Sequence, residues 1–350
     1  MIRFLSHSFV LSLGIFLVSG CASSGKYVST QKLEIRQKET KQGTVLVLEQ
    51  ATVQAEKNVI EKSTNVKTVS KITSYDLKNK DKEVFRFDVN PDGDRIVMMV
   101  YERVGGDWIS QLWATGKDGG SMTKVTSGNY KDEDPRYSMD GSFIYFVSNR
   151  GDENQKVWRI QSSGLGGLTK VTSGSTIDRS PCVSPENDEV IYSSLMAGSK
   201  EWQIWKCTDK GALPTQMTVG FRPVFSPDGS RVLFVRGNDD TGKSDLWVMD
   251  ADGSSQTKLS DSASNEKDPQ WSPTGKHILF ASDSGRDEEK KNNFDIYLMQ
   301  SDGSTVTQLT TNGSYDDLPV FSPDGSHIYF RSNRGGVWNI WRMELVVSLD

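Results

Sequence analysis

Short hydrophobic runs recur along most of the chain, and turns rich in Gly, Pro, Asp and Ser separate them. The stretch 320–336, VFSPDGSHIYFRSNRGG, is nearly repeated at 224–238, VFSPDGSRVLFVRGN. In both stretches Pro fixes φ for the second position of a type I turn, Asp suits the third, and Gly follows where φ must be positive. Hydrophobic residues on both sides of such a turn predict a strand, a tight hairpin turn and a second strand.

This turn occurs six times at nearly even spacing. Successive copies begin 42 to 50 residues apart, which is a period typical of repeat folds. One copy has Asn187 in place of Gly, and Asn is among the few other residues that tolerate the left-handed region. The copies begin at Asn90, Ser138, Ser184, Ser226, Ser272 and Ser322. Such even spacing predicts six copies of one structural unit.

Two further elements repeat in phase with the turn. An aliphatic–aromatic pair such as Leu246-Trp247 follows each turn, and in most units a Gly-rich turn and a short strand such as Lys258-Leu259-Ser260 come next. Each unit therefore predicts four short strands. Apolar runs such as 232–235 predict strands that are buried on both faces, as they are when sheets pack around an axis. The sequence predicts an all-β fold, a six-bladed β-propeller with four-stranded blades over residues 66–350.

The last unit lacks its fourth strand in sequence order. After Trp341 the chain has neither the Gly-rich turn nor the strand that follows it in the other units. An additional copy of that strand, VSKIT at 69–73, precedes the first complete unit. We therefore predict that this N-terminal strand completes the last blade and closes the ring.

Residues 1–20 differ in character from the repeats. Arg3 supplies a positive charge, and the apolar stretch 9–18 is shorter than the roughly 20 residues that span a bilayer. This pattern is typical of a cleaved export signal. Residues 18–21, VSGC, resemble the bacterial lipoprotein processing box, which implies a lipid anchor on Cys21 at the cell envelope. Ala22 after the Cys favours, by the same resemblance, the outer membrane facing the periplasm.

Residues 21–65 are rich in Ser, Gln, Lys and Glu, and they are interpreted as the lipidated N-terminus and a tether. The alternative is a short hairpin in which 32–35 pairs with 44–48 around 41–43. An isolated two-stranded hairpin is barely stable in water, so this hairpin would need to pack against another element.

Composition and motifs argue against several function classes. The formal net charge of −5 and the lack of a basic stripe disfavour nucleic acid as a partner. His277 and His327 occupy equivalent positions beside two of the repeated turns, where surface residues are expected. The sequence has no Gly-x-Ser-x-Gly elbow, no phosphate loop and no Cys cluster at zinc spacing. We therefore predict a protein that is not an enzyme and uses no cofactor or metal.

Two cysteines fall inside the propeller, at Cys182 in the first strand of the third blade and Cys207 in its third strand. Strands that are next but one lie roughly 9–10 Å apart, beyond the ~7 Å limit for a disulfide. We expect two buried thiols.

Acidic residues recur three positions before the Pro of the first strand. They occur in four blades, as Asp132, Asp178, Glu266 and Asp316. Because first strands line the axis of a propeller, these carboxylates are candidates for a partner-binding rim around the central channel, where they would hold a cation or a basic side chain. The alternative is that each carboxylate caps a turn locally.

The order FSPDG, hydrophobic strand, SNRG, IW, DG and LT resembles the propeller repeats of the TolB family, in all six units over 66–350. The resemblance implies a periplasmic protein of the Tol-Pal system whose propeller binds the peptidoglycan-associated lipoprotein Pal. TolB proteins also carry an N-terminal α/β domain, which residues 22–65 are too short to contain, and they lack a lipid anchor.

We expect a monomeric lipoprotein that serves as a protein–protein interaction scaffold at the envelope. Its partner would be an envelope protein or peptide, with a Pal-like lipoprotein as the candidate. The alternatives are a binder of a small molecule, glycan or ion at the channel mouth, and an enzyme with an unrecognised site.

Overall fold

The computed structural model describes residues 32–40, 43–51, 65–74, 82–151, 154–238, 243–260, 264–284 and 293–346. The predicted signal peptide and the lipid attachment residue Cys21 lie outside the described residues. The chain divides into two units, Met1–Val59 and Ile60–Asp350. In the first unit, β1 (Lys32–Thr40) and β2 (Gly43–Ala51) form an antiparallel hairpin in which Ile35 lies opposite Leu48.

The second unit contains six sheets of four antiparallel strands. Blade 1 consists of β4 (Lys82–Val89), β5 (Arg95–Val104), β6 (Asp107–Gly116) and β7 (Gly119–Lys124). Blade 2 consists of β8 (Asp132–Tyr137), β9 (Phe143–Ser148), β10 (Lys156–Gln161) and β11 (Thr169–Lys170). Blade 3 consists of β12 (Ile177–Val183), β13 (Glu189–Leu195), β14 (Gln203–Thr208) and β15 (Thr215–Val219).

The remaining blades follow the same order. Blade 4 consists of β16 (Phe221–Phe225), β17 (Arg231–Asn238), β18 (Lys243–Asp250) and β19 (Thr257–Lys258). Blade 5 consists of β20 (Glu266–Trp271), β21 (His277–Ser282), β22 (Asp295–Gln300) and β23 (Thr307–Gln308). Blade 6 consists of β24 (Asp316–Phe321), β25 (His327–Ser332), β26 (Asn339–Leu345) and β3 (Val66–Lys71). The fold is the predicted six-bladed β-propeller.

Closure of the ring uses the N-terminal strand, as the sequence predicted. Strand β3 pairs with β26 as the outer strand of blade 6, with Lys71 opposite Trp341. The Thr73 hydroxyl then accepts a hydrogen bond of 3.0 Å from the backbone N–H of Ile340. Val66 and Ile72 are buried at the two ends of this segment, so the closure is apolar as well as hydrogen-bonded.

The repeated turn joins the first and second strands of each blade. In blade 4 the backbone N–H of Gly229 donates to the carbonyl of Ser226 at 2.9 Å, and Gly229 has φ of +68°. The Ser226 hydroxyl donates to Asp228 at 2.6 Å and accepts from the N–H of Arg231 at 2.9 Å. The Ser and Asp side chains therefore supply hydrogen-bond partners to groups inside the turn, which explains why both residue types recur.

The hydrophobic core lies between neighbouring blades. The run Val232–Val235 in β17 is fully buried, with alternate side chains packing toward blade 3 and toward blade 5. Burying a side chain of this size stabilises a fold by about 1.5–3 kcal/mol. Six such interfaces hold the first strands rigidly around the axis.

The two propeller cysteines are free. Cys182 in β12 and Cys207 in β14 pair with neighbouring positions of β13, which separates them as expected. Cys207 is buried, but Cys182 is partly exposed, so the expectation of two buried thiols holds for one of them. In the described part of the chain, no helix has the length and apolar character needed to cross a membrane.

Candidate functional site

The four predicted rim acids lie at the starts of first strands, or one residue inside, and all are buried. Asp132 accepts hydrogen bonds from Ser148 at 2.6 Å and from Arg150 at 2.5 Å. Asp316 accepts one from Arg334 at 2.6 Å. Both arginines belong to the repeated Ser-Asn-Arg sequence, so this motif fixes the start of the first strand of its own blade.

The other two acids are bonded partly to residues that precede their own blade in the chain. Asp178 accepts from the hydroxyls of Ser194 at 2.8 Å and Thr172 at 2.7 Å, and from Lys156 at 3.1 Å. Glu266 accepts from the Ser260 hydroxyl at 3.0 Å. All four carboxylates are therefore bonded to side chains of the protein itself, and their role as a partner-binding rim stays a prediction.

The channel is lined instead by residues two positions further along each first strand. Every first strand has a β-bulge there, and in blades 2 to 6 the lining residue precedes Pro and has φ between +50° and +56°. Such backbone is rare for residues other than Gly and costs about 1–3 kcal/mol. The lining positions of blades 1 to 6 are Arg86, Asp134, Ser180, Arg222, Asp268 and Leu318.

Opposite charges close the middle of the channel. Arg86 Nε lies 2.6 Å from Asp134, and Arg86 Nη2 lies 3.7 Å from Asp268. Arg222 also bonds to Asp268. Although burial acts to raise the pKa of Asp134, the charges of Arg86, Arg179 and Arg222 hold it below its usual value. The channel carboxylates are therefore engaged by the protein's own guanidinium groups, which leaves a cavity of about 40 Å³ beside them.

We call the end of the channel at which the first strands begin the mouth. Aromatic rings of blades 1, 5 and 6 lie along it as a continuous series, the aromatic arc: Trp108, Tyr101, Phe85, Trp338, Tyr315 and Phe294. Neighbouring ring centroids in the arc are 5.2 to 6.4 Å apart, except for Phe85 and Trp338. The guanidinium of Arg331 lies between these two rings, 4.3 Å from the Phe85 centroid and 4.2 Å from the Trp338 centroid. Phe85 and Trp108 are exposed.

Two cations of the mouth share one carboxylate. Arg331 donates to both oxygens of Asp317 at 2.7 Å, and Lys267 donates to the same carboxylate at 2.9 Å. Lys267 also donates to the Tyr315 hydroxyl at 2.8 Å and lies 4.3 Å from the Phe294 ring centroid. Burial acts to raise the pKa of Asp317, but Arg331 and Lys267 lower it to about 2.

The sequence contains a signal for this lining that the rim prediction did not use. An X-Pro dipeptide recurs in five first strands, at Asp134-Pro135, Ser180-Pro181, Arg222-Pro223, Asp268-Pro269 and Leu318-Pro319. Pro inside a strand is typical of a bulge. A bulge adds a residue and redirects the side chains around it, so the residue before each Pro was the better candidate for the lining.

Comparison with known proteins identifies the repeat type. No protein-family model matches the chain. A segment of 93 residues, 26% of the chain, is 33% identical to the Tol-Pal system protein TolB of Anaeromyxobacter dehalogenans strain 2CP-C. The match spans about a fifth of that relative, 21% of its length.

Solved structures share the architecture. TolB from Acinetobacter baumannii has a TM-score of 0.55 at 17% identity over 92% of this chain and 78% of that one. Oligogalacturonate lyase from Vibrio parahaemolyticus has a TM-score of 0.55 at 13% identity over 81% of this chain and 95% of that one. At these identities the likeness shows the fold alone. The fold is therefore a six-bladed β-propeller, and one segment of the chain is similar in sequence to TolB.

Proposed function

We propose that this chain is an exported, non-enzymatic interaction scaffold of the cell envelope that binds a protein partner through the mouth of its propeller. A lipid on Cys21 would hold it at the outer membrane, facing the periplasm. A Pal-like peptidoglycan-associated lipoprotein is the candidate partner. The TolB-like repeats support an envelope role related to the Tol-Pal system, since a TolB of that system is among the matched relatives.

The aromatic arc is the observation that carries this proposal. Tyr, Trp and Arg are enriched at the centres of protein–protein interfaces, where large rings bury much area at little cost in conformational entropy. Here Phe85 and Trp108 are exposed, and Phe85 lies beside Arg331, whose guanidinium is fixed between two rings and on Asp317. The mouth therefore presents a rigid surface, which favours binding because little must be ordered.

The charges of the mouth also favour binding over catalysis. Asp134, Asp268 and Asp317 are each engaged by Arg or Lys. The two histidines of the propeller begin β21 and β25, at the opposite end of the sheets. Among the residues described, no group of three or more His, Cys, Asp or Glu is placed to hold a metal ion.

The interaction is tested by affinity capture of the full-length protein from detergent-solubilised envelopes, read by mass spectrometry. We expect one envelope protein to be enriched with the unaltered chain and reduced by at least about thirtyfold in a Phe85→Ala, Trp108→Ala double variant, since a hot-spot ring contributes 2 kcal/mol or more. Met139→Ala, an exposed residue in a turn at the opposite end, is the matched control. Equal enrichment in all three would move the interface away from the mouth, and no enriched protein would overturn the scaffold.

The anchor is tested separately. We expect Cys21→Ser to release the protein from the membrane fraction into the periplasmic extract, because one lipid-bearing Cys is the proposed attachment. Fractionation followed by immunoblotting measures this. Retention of Cys21→Ser in the outer membrane would contradict the anchor without touching the proposed interface.

A further inference from the structure

The charged side chains of the channel and its mouth are unequally exposed. The acids are almost fully buried: the side chains of Asp317, Asp268 and Asp134 are 2%, 4% and 8% exposed. Among the cations paired with them, Lys267 is 20% and Arg222 26% exposed. The mouth therefore presents cationic groups to an incoming partner, although the whole chain has a net charge of −5.

The charges are also unequal in number. Among the described residues, four cations share three carboxylates in the connected network of Arg86, Arg222, Lys267, Arg331, Asp134, Asp268 and Asp317, so that this network carries one positive charge in excess. Arg331 Nη1, on a side chain only 7% exposed, donates to no acceptor among the described residues. Asp268 Oδ2 of the same network likewise accepts no hydrogen bond within the described part of the chain. Because positive charge is in excess, an anion beside the more exposed cations would stabilise the network.

The lowered pKa values of Lys267 and Arg222 agree with an excess of positive charge. Burial, together with the charges of Arg222 and Arg331, lowers the pKa of Lys267 to about 8 despite its pairing with Asp317. Burial, together with the charge of Arg86, lowers the pKa of Arg222 to about 9 despite Asp134. A bound anion would favour the protonated form of both side chains.

The aromatic arc adds an apolar surface next to these donors. Tyr315 and Phe294 flank Lys267, and Phe85 and Trp338 flank Arg331. A ligand that satisfies both surfaces carries a carboxylate and an adjacent apolar side chain. Bonds between Arg or Lys and a carboxylate are charge-assisted and therefore stronger than neutral ones.

We propose that the mouth binds an acidic peptide segment of the partner, with a carboxylate between Lys267 and Arg222 and a neighbouring apolar side chain on the aromatic arc. The inference rests on the proposed scaffold function and adds the chemistry of the segment that is recognised. The buried carboxylates of Asp268 and Asp317 hold the donors in position, so they serve as positioning residues.

A pool of random hexapeptides tests this on the immobilised full-length protein, with retained peptides sequenced by mass spectrometry. We expect retained peptides to be enriched in Glu and Asp next to apolar residues, by about tenfold over matched Gln and Asn peptides. Lys267→Met and Arg222→Met are expected to remove the preference, and Lys267→Arg to keep it. Arg231→Met is the control, because Arg231 also lies over an aromatic ring, Trp271 at 4.7 Å, at the opposite end.

The outcomes separate this inference from the scaffold itself. No preference for acidic peptides, or a preference unchanged in correctly folded Lys267→Met and Arg222→Met, would overturn the carboxylate site while affinity capture of a partner still supported the scaffold. Glucuronate is tested as a competitor, with glucose at the same concentrations as the control. If glucuronate alone displaces the peptides, the natural ligand is a sugar acid and the peptide proposal is wrong.

Discussion

Buried carboxylates organise the mouth at the scale of single residues. Asp317 lies against two cations and Asp268 against three, and neither acid is accessible enough to bind a partner directly. Removing one member of a buried ion pair destabilises a protein by about 3–5 kcal/mol, because the remaining charge is left without compensation. These acids therefore affect binding through the positions of Arg222, Lys267 and Arg331.

The pKa of Asp317 gives a prediction about pH. Its folded-state pKa of about 2 lies below the unfolded value of 3.8, so its stabilising contribution is complete above the unfolded value and is lost as the pH falls toward 2. We expect the unfolding free energy of the unaltered protein to fall by about 2 kcal/mol more than that of Asp317→Asn between about pH 5 and about pH 2.

Urea unfolding followed by Trp fluorescence measures this difference. Asp107→Asn, at an exposed carboxylate in the β5–β6 turn, is the control and should follow the pH profile of the unaltered protein. Parallel profiles for Asp317→Asn and the unaltered protein would show that the pair with Arg331 and Lys267 does not lower the pKa of Asp317.

The thiols give a second prediction at this scale. Burial raises the pKa of both thiols, that of Cys207 to about 12, and the thiolate is the reactive form, so that exposure must distinguish them. We expect a thiol reagent at neutral pH to modify partly exposed Cys182 in the folded protein and to reach Cys207 only after unfolding. Peptide mass mapping checks this, with Cys182→Ser as the control. Equal labelling of both thiols in the folded state would contradict the burial of Cys207.

Strained turns repeat at the scale of the blade elements. The sequence Asp-Gly-Ser precedes Ser255 in blade 4 and Thr305 in blade 5, and both residues have positive φ, +52° and +53°. A β-branched residue is disfavoured there, whereas Asn tolerates this conformation. The turn between β22 and β23 of blade 5 therefore contains a residue, Thr305, whose replacement by Asn should stabilise the protein.

We expect Thr305→Asn to raise the unfolding free energy by about 0.5–1 kcal/mol, because Asn relieves the left-handed strain and Thr305 is exposed. Thr307→Asn, two residues further on in β23, should not stabilise the protein, since β-branched residues suit strands. Urea unfolding measures the unfolding free energies of both variants and of the unaltered protein. A loss of stability in Thr305→Asn would indicate that Thr305 makes a contribution its backbone conformation does not reveal.

Closure of the ring is the feature that belongs to the whole molecule. Strand β3 and the strands of blade 6 are separated by most of the chain, yet they form one sheet. An open edge at β26 would expose unpaired backbone groups and the neighbouring apolar side chains. The stability of the propeller should therefore depend on residues 66–73.

We expect deletion of residues 1–74 to lower the unfolding free energy by about 3–6 kcal/mol, because Val66 and Ile72 lose their buried positions, and to cause association through β26. Deletion of residues 1–64 keeps β3 and is the matched control. Urea unfolding and size-exclusion chromatography compare the two. Equal stability would contradict the closing role of β3.

The sequence by itself determined the number of blades, the four strands in each and the strand that closes the ring. Local turn chemistry sets the hairpin between the first two strands, and its period counts the units. The unmatched copy at 69–73 was visible in the same way, because a missing strand at one end and a surplus strand at the other identify each other.

Only the tertiary structure decided which residues face the channel and the mouth. Asp132 and its equivalents lie at or near the starts of the first strands, and the bulges place Asp134 and its equivalents in the channel. The pairing of Arg86 in blade 1 with Asp268 in blade 5 requires the ring to close. Periodicity encodes elements, whereas side-chain direction at a bulge and contacts across an axis depend on how those elements pack.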